Sequence, residues 1–178
     1  MIRRAIFLAA SLALTGAALA ELPPGADAPA FTAKATLGGD EFTFSLEEAL
    51  KKGPVVLYFY PKAFTTGCTM EAHEFAEATP EFEALGASII GISADPIDTL
   101  KKFSVEECRS AFPVASDADQ SVMKAYDAVL EQKPELSSRT SYVIAPDGKI
   151  VYAHSDLNYE DHVKNTLAAV KEWKTSHP

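Results

Sequence analysis

Tyr58-Phe59-Tyr60-Pro61-Lys62-Ala63-Phe64-Thr65-Thr66-Gly67-Cys68-Thr69-Met70-Glu71 passes from strand to loop to helix in one short segment. Val55-Val56-Leu57 precedes it, so an apolar and aromatic run is continuous from 55 to 60. Such a run is a strand buried on both faces. Pro61 has no N–H to give to a ladder and ends the strand. Residues 62–67 read as a loop, and a helix is expected to begin near Cys68, with Ala72 and Phe75 on its inner side. The loop therefore sets a cysteine at a helix start. Free N–H groups and the macrodipole favour an anion there. A thiol in that place loses its proton more readily, and the thiolate is the nucleophile. Thr65, three residues earlier, carries a hydroxyl that can both donate and accept beside the sulfur.

Outward from this segment the pattern alternates. Thr32–Leu37 and 41–44 flank Gly38-Gly39-Asp40, which predicts a hairpin. Ser45 with Glu48 forms a capping box, so Leu46–Leu50 is a short helix. The helix carrying Cys68 is expected to kink or restart at Thr79-Pro80, run to Leu85 and be capped by Gly86. Residues 87–93 form a second buried strand, and Asp95-Pro96 opens a helix reaching Glu107. A short strand at 112–116 and a helix at 119–126 follow. Thr140–Ile144 and 149–154 are strands around the turn Ala145-Pro146-Asp147-Gly148, and 159–174 is the last helix. The order predicts an α/β fold, a central mixed sheet flanked by helices in the thioredoxin-like arrangement. The aromatic residues Tyr58, Phe59, Tyr60, Phe75 and Phe82 read as core.

Residues 1–20 have the layout of a signal peptide. Arg3 and Arg4 precede an apolar run at 6–14, and Ala18-Leu19-Ala20 stands before the polar Glu21. The run is shorter than the about 20 residues of a permanent anchor. Export to the periplasm or medium is the expectation. The Arg pair weakly resembles a twin-arginine signal, but a general secretory signal is the preferred reading. Cleavage leaves a single domain, residues 21–178, opening on a Pro- and Ala-rich leader at 21–30. Loss of the two arginines takes the formal charge from −9 to −11. An acidic chain without a basic cluster is a poor ligand for nucleic acid or anionic membranes. Its cysteines, Cys68 and Cys108, lie too far apart for a Cys-x-x-Cys redox pair or a zinc ribbon. His73, His154, His162 and His177 form no ligand spacing, and His73 reads as a helix-surface residue. No metal and no organic cofactor is assigned.

The spacing Pro61-x-x-x-Thr65-x-x-Cys68 resembles the active-site motif of peroxiredoxins. Thr66-Gly67-Cys68-Thr69 with Glu71 is similar to the branch called peroxiredoxin Q, or bacterioferritin comigratory protein. Phe112-Pro113-Val114-Ala115-Ser116-Asp117 and Arg139-Thr140-Ser141-Tyr142-Val143-Ile144, followed by Pro146-Asp147-Gly148, resemble two further family segments. The resemblance covers nearly all of the chain after the signal. It implies a thiol peroxidase on the thioredoxin-like fold of peroxiredoxins, acting on hydrogen peroxide or organic hydroperoxides. It implies that Cys68 attacks peroxide, that Thr65 hydrogen-bonds peroxide and thiolate, and that Arg139 stabilises the thiolate and polarises the peroxide. Glu71 resembles the helix carboxylate that orients its neighbours. A thioredoxin-like, glutaredoxin-like or small-thiol reductant and a monomer or weak dimer are also implied.

One departure matters. Many members of the branch carry a resolving cysteine five positions after the peroxidatic one, where this chain has His73. Others place it in the next helix, which makes Cys108 the internal candidate. Three readings stay open at this stage: resolution by Cys108, resolution by an external thiol, and an inert Cys108. Two other functions compete. One is a thiol–disulfide oxidoreductase on the same fold, against which the missing Cys-x-x-Cys argues. The other is a secreted binding module with a permanent Cys68–Cys108 disulfide.

Overall fold

The computed structural model describes residues 21–177; the expected signal segment lies outside the described residues. The fold is a seven-stranded mixed sheet in the order β2 (Asp40–Ser45), β1 (Thr32–Leu37), β5 (Val114–Ser116), β4 (Ser88–Ser93), β3 (Val55–Phe59), β6 (Thr140–Ile144), β7 (Ile150–Ser155). β1 (Thr32–Leu37) and β2 (Asp40–Ser45) form the predicted hairpin, turning at Gly38 and Gly39, with φ of 58° and 89°. Such angles belong to the two-residue turns that match strand twist. Ser45 then caps α1 (Leu46–Leu50), its hydroxyl accepting from the Glu48 N–H at 3.4 Å.

β3 (Val55–Phe59) is buried along its whole length. It pairs in parallel with β4 (Ser88–Ser93) and antiparallel with β6 (Thr140–Ile144). Alternation splits it between two apolar clusters. Val55, Leu57 and Phe59 face α1 and α4 (Ser121–Ala125). Val56 and Tyr58, with Tyr60 beyond the strand end, face α2 (Thr66–Ala84), α3 (Ile97–Glu106) and α5 (His162–Ser176). Each large apolar side chain sealed in these clusters contributes about 1.5–3 kcal/mol of burial. β5 (Val114–Ser116) runs parallel to β4 and antiparallel to β1, and β7 (Ile150–Ser155) closes the far edge on β6. The leader is tied down: Ala28 N–H donates to the Gly148 carbonyl at 2.8 Å and Ile150 N–H to that of Ala26 at 3.0 Å.

The helix carrying Cys68 differs from expectation at two points. It begins at Thr66, and it runs unbroken through Pro80 to Ala84. Thr79 is not an N-cap; its hydroxyl turns back and donates to the Phe75 carbonyl at 2.8 Å. Phe75 and Phe82, fully buried on either side of Pro80, pin the helix to the sheet and outweigh the missing N–H. Gly86, at φ 76°, does end the helix, with Ala87 N–H returning to the Phe82 carbonyl at 2.9 Å. α3 stops at Glu106, so Cys108 lies just beyond it.

Candidate active site

Cys68 is the third residue of α2, in the helix's first turn, and is 2% exposed. The loop before it is fixed from two sides. The Ala63 N–H donates to Asp95 Oδ2 at 2.8 Å, and the Ser137 hydroxyl donates to the Tyr60 carbonyl at 2.7 Å. Phe64 adopts φ 64°, which tightens the turn. The Thr65 hydroxyl consequently donates to the Lys62 carbonyl at 2.9 Å instead of reaching the sulfur as a donor. Thr65 is exposed, and its oxygen lone pairs remain free to accept.

Arg139 immediately precedes β6, whose Thr140 pairs with Phe59 at the end of β3. That register brings Arg139 to the mouth of the Cys68 loop. Its guanidinium is used on three sides. Nε donates to the Leu157 carbonyl at 2.9 Å, Nη1 to Glu71 Oε2, and Nη2 to Cys68 Sγ at 3.5 Å. Gly67 leaves the room: a Cβ there would stand 3.1 Å from Nη2. Glu71 is one turn after Cys68 on the same helix face and wholly buried. Burial pushes its carboxyl up to about 8, while Arg139 pulls it back. Burial alone would lower the Arg139 guanidinium, but the charges of Glu71 and Cys68 hold it above its ordinary value. The result is a buried carboxyl–guanidinium–sulfur row, with one end at a helix N-terminus. Negative charge arriving on the sulfur, or on an oxygen beside it, meets a fixed donor.

His162, which its spacing left without a role, belongs to the site. It is completely buried, and its Nδ1 stands 3.8 Å from Glu71 Oε1. A carbonyl only accepts, so Nε2–H donates to the Asp156 carbonyl at 2.9 Å, and Nδ1 accepts from the Ser141 hydroxyl at 2.8 Å. Burial depresses this imidazole to about 4, keeping it neutral. The 156–157 turn that it anchors also holds Arg139, since Asp156 N–H donates to the Arg139 carbonyl at 3.2 Å. Nothing in residue spacing signals this, because the contacts join β6, β7 and α5.

Cys108 is fully buried in the same apolar cluster as Cys68, and both are free thiols. Burial, followed by the Glu107 charge, pushes the Cys108 thiol far above its ordinary range. His73 is not a bare surface residue: it is half-buried, and its Nε2 lies 2.7 Å from Glu107 Oε2, the residue before Cys108. His73 thus holds the Cys108 turn against α2. Among the described residues no group of three His, Cys, Asp or Glu side chains could hold a metal ion, and no helix is long and apolar enough to cross a membrane.

A thiol at a helix start, met by a guanidinium from the neighbouring strand of a thioredoxin-like sheet, defines the class of thiol-dependent peroxidases. The chain belongs to the AhpC/TSA family, whose pattern residues 24–153 match, and within it to the peroxiredoxin Q/bacterioferritin comigratory protein branch. It is 35% identical over 122 residues to peroxiredoxin Bcp of Xanthomonas campestris, covering 66% of this chain and 76% of that protein. It is 32% identical over 160 residues to the chloroplastic peroxiredoxin Q of Triticum aestivum, covering 89% of this chain and 71% of that one. The crystal structure of peroxidoxin BcpB from Mycobacterium tuberculosis superposes with a TM-score of 0.75 at 32% identity, over 84% of this chain and 96% of that one. The enzyme reduces peroxides through a thiol.

Proposed function

We propose that Cys68 is the peroxidatic residue, assisted by Thr65 and Arg139 and resolved by Cys108. The observation that carries this is the Arg139 fork, which donates to Cys68 Sγ with one nitrogen while Glu71 and the Leu157 carbonyl fix the others. The Cys68 thiolate attacks one peroxide oxygen, the O–O bond breaks, and alcohol or water leaves after taking a proton. Cys68 becomes a sulfenic acid. The Thr65 hydroxyl, its proton committed to Lys62, accepts from the peroxide O–H. Arg139 Nη2 meets charge at the sulfur and on the departing oxygen. Hydrogen peroxide and organic hydroperoxides are the substrate class. Support for the latter comes from a relative: a Xanthomonas campestris bacterioferritin comigratory protein structure, 32% identical with a TM-score of 0.69, is described in terms of alkyl peroxide reduction activity.

Cys108 then displaces hydroxide from the sulfenic acid, and a thioredoxin-like, glutaredoxin-like or small-thiol donor returns two electrons to the disulfide. Both thiols are buried, so the first turn of α2 and the Cys108 turn must open locally. The order of charged, apolar and small residues at 1–20 supports export and work in the periplasm or medium. The test is peroxide consumption by the reduced wild type, Cys68→Ser and Cys108→Ser. With a dithiol reductant supplied, wild type should turn over continuously, Cys68→Ser should consume none, and Cys108→Ser should fall far below the wild-type rate after its first equivalent. Equal rates in wild type and Cys68→Ser would remove the reading. A Cys108→Ser enzyme cycling normally on a dithiol would remove the resolving role.

A further inference from the structure

Two hydroxyls in the core have nothing to bond. Tyr58 and Tyr60 are each 1% exposed, and neither phenolic oxygen has a hydrogen-bond partner. Ser93 Oγ lies beside the Tyr60 hydroxyl but outside hydrogen-bond geometry, and gives its own proton to Asp95 Oδ2 at 2.9 Å. An unpartnered buried hydroxyl is a standing cost that phenylalanine would avoid. Phe75 and Phe82 fill the same cluster without any such atom. The Tyr58 hydroxyl even constrains its neighbour strand, since a Cβ on Gly91 would stand 2.8 Å from that oxygen.

The two rings share a buried cluster with Cys108, close enough for a charge on its sulfur to act on both phenols. Tyr60 stacks on Phe103 with ring centroids 5.5 Å apart, and the Phe103 carbonyl accepts the Cys108 N–H at 2.9 Å. Tyr58 packs edge-on against Phe112, four residues past Cys108, at 5.9 Å. Cys68 completes the same cluster. Among the described residues no side chain donates to the Cys108 sulfur, so charge developing there in this apolar setting meets no stabilising group.

From the orphaned hydroxyls and their placement we infer that Tyr58 and Tyr60 are hydrogen-bond donors to the Cys108 sulfur as it attacks the Cys68 sulfenic acid. The inference rests on Cys108 being the resolving thiol. In that step the Cys108 S–H gives up its proton, and its sulfur lone pair forms the S–S bond. The Cys68 S–O bond breaks, and the departing hydroxide takes a proton to leave as water. The Cys108 sulfur is oxidised and the Cys68 sulfur reduced by the same electron pair, so no outside redox agent enters. The phenols are idle in the reduced enzyme because the charge they serve exists only during the step.

The test is single-turnover oxidation of the reduced enzyme with one equivalent of hydrogen peroxide. Samples quenched at intervals with a sulfenic-acid trap and a thiol alkylator are counted by mass spectrometry. Tyr60→Phe and the double variant Tyr58→Phe/Tyr60→Phe are compared with wild type. Sulfenic acid should form at an unchanged rate. Its conversion to the Cys68–Cys108 disulfide should slow by about tenfold in Tyr60→Phe, as expected for a hydrogen bond to a charged group, and further in the double variant. The urea midpoint of both variants should equal or exceed that of wild type, because each loses an unsatisfied polar atom. Wild-type conversion rates in both variants would overturn the inference while leaving Cys108 as resolver. Slow conversion with a lowered midpoint in both would assign the hydroxyls to packing and overturn it as well. If oxidised wild type shows no Cys68–Cys108 disulfide, the resolving role and this inference fall together.

Discussion

Replacing Arg139 by methionine tests the buried row as one unit. Arg139 is 5% exposed and its partner Glu71 wholly buried, so Arg139→Met strands a carboxyl in the core. With Glu71 at about 8 its carboxyl is protonated at pH 7, so the loss there is that of a buried hydrogen-bond partner, about 1–3 kcal/mol. The proton it holds gives the deficit a pH signature. In the wild type Glu71 sits at about 8 against an ordinary value of 4.5. The folded state therefore holds a proton that the unfolded chain has released across that window, and stability falls as pH rises from 4.5 to 8. Without Arg139 the carboxyl moves higher still, and the fall continues above pH 8 by up to about 1.4 kcal/mol per pH unit. Urea unfolding under reducing conditions at pH 7 and 9 should show a deficit that widens at the higher pH. Adding Glu71→Gln should flatten it and recover part of the loss. Sulfenic acid formation should slow by about tenfold to a hundredfold, the worth of one charged hydrogen bond. A deficit identical at both pH values, or one that Glu71→Gln deepens, would refute the coupling; an unchanged oxidation rate would refute the role at the sulfur.

Thr65→Val keeps the shape of the side chain and removes the acceptor for peroxide. Oxidation of Cys68 should slow by about fivefold, with stability within about 0.5 kcal/mol of wild type because the site is exposed. Gly91→Ala would set a Cβ 2.7 Å from the Tyr58 ring. Overpacking there should cost about 1–3 kcal/mol, read as a lower urea midpoint at constant slope. His162 bears on acid stability. Its folded value of about 4 lies below its ordinary 6.5, so the unfolded chain binds the proton first. The stability it lends is present above pH 6.5 and is lost as pH falls towards 4, by about 3 kcal/mol in all. The gap between wild type and His162→Gln should close by that amount over the interval; a constant gap would count against the buried neutral imidazole.

Much of the fold could be read from local pattern because its determinants are local. The Val55–Phe59 run, the Gly38-Gly39 turn and the Ser45 cap each act within a few residues. Pro80 misled for the opposite reason. Its local meaning is a helix start, but the ring contacts that keep α2 continuous come from the sheet, through Tyr58 stacked on Phe75 at 4.3 Å. The strand order was likewise beyond local reading. β1 lies beside β5 because of long crossovers, and no short-range pattern encodes that pairing.

The site divides along the same line. Cys68 and Thr65 are legible because a loop-to-helix junction fixes both, and Arg139 because it stands before a core strand. What the sequence hid is the support around them. His162 supports Arg139 through the carbonyl of Asp156 and the turn behind it. The consequence for chemistry is specific. A guanidinium free to rotate could satisfy Glu71 or the sulfur; one held at Nε by Leu157 and at Nη1 by Glu71 is fixed with Nη2 facing the sulfur. That remaining donor points at Cys68 before any peroxide arrives, so the reorganisation cost falls on folding and not on turnover. Cys108 is placed in the opposite way. It is sealed, uncharged and, among the described residues, without a donor at its sulfur. In the proposed cycle it acts after Cys68 has been oxidised and the local helix turn has opened, so that with one cysteine prepared and the other sequestered the sulfenic acid is the signal that brings them together.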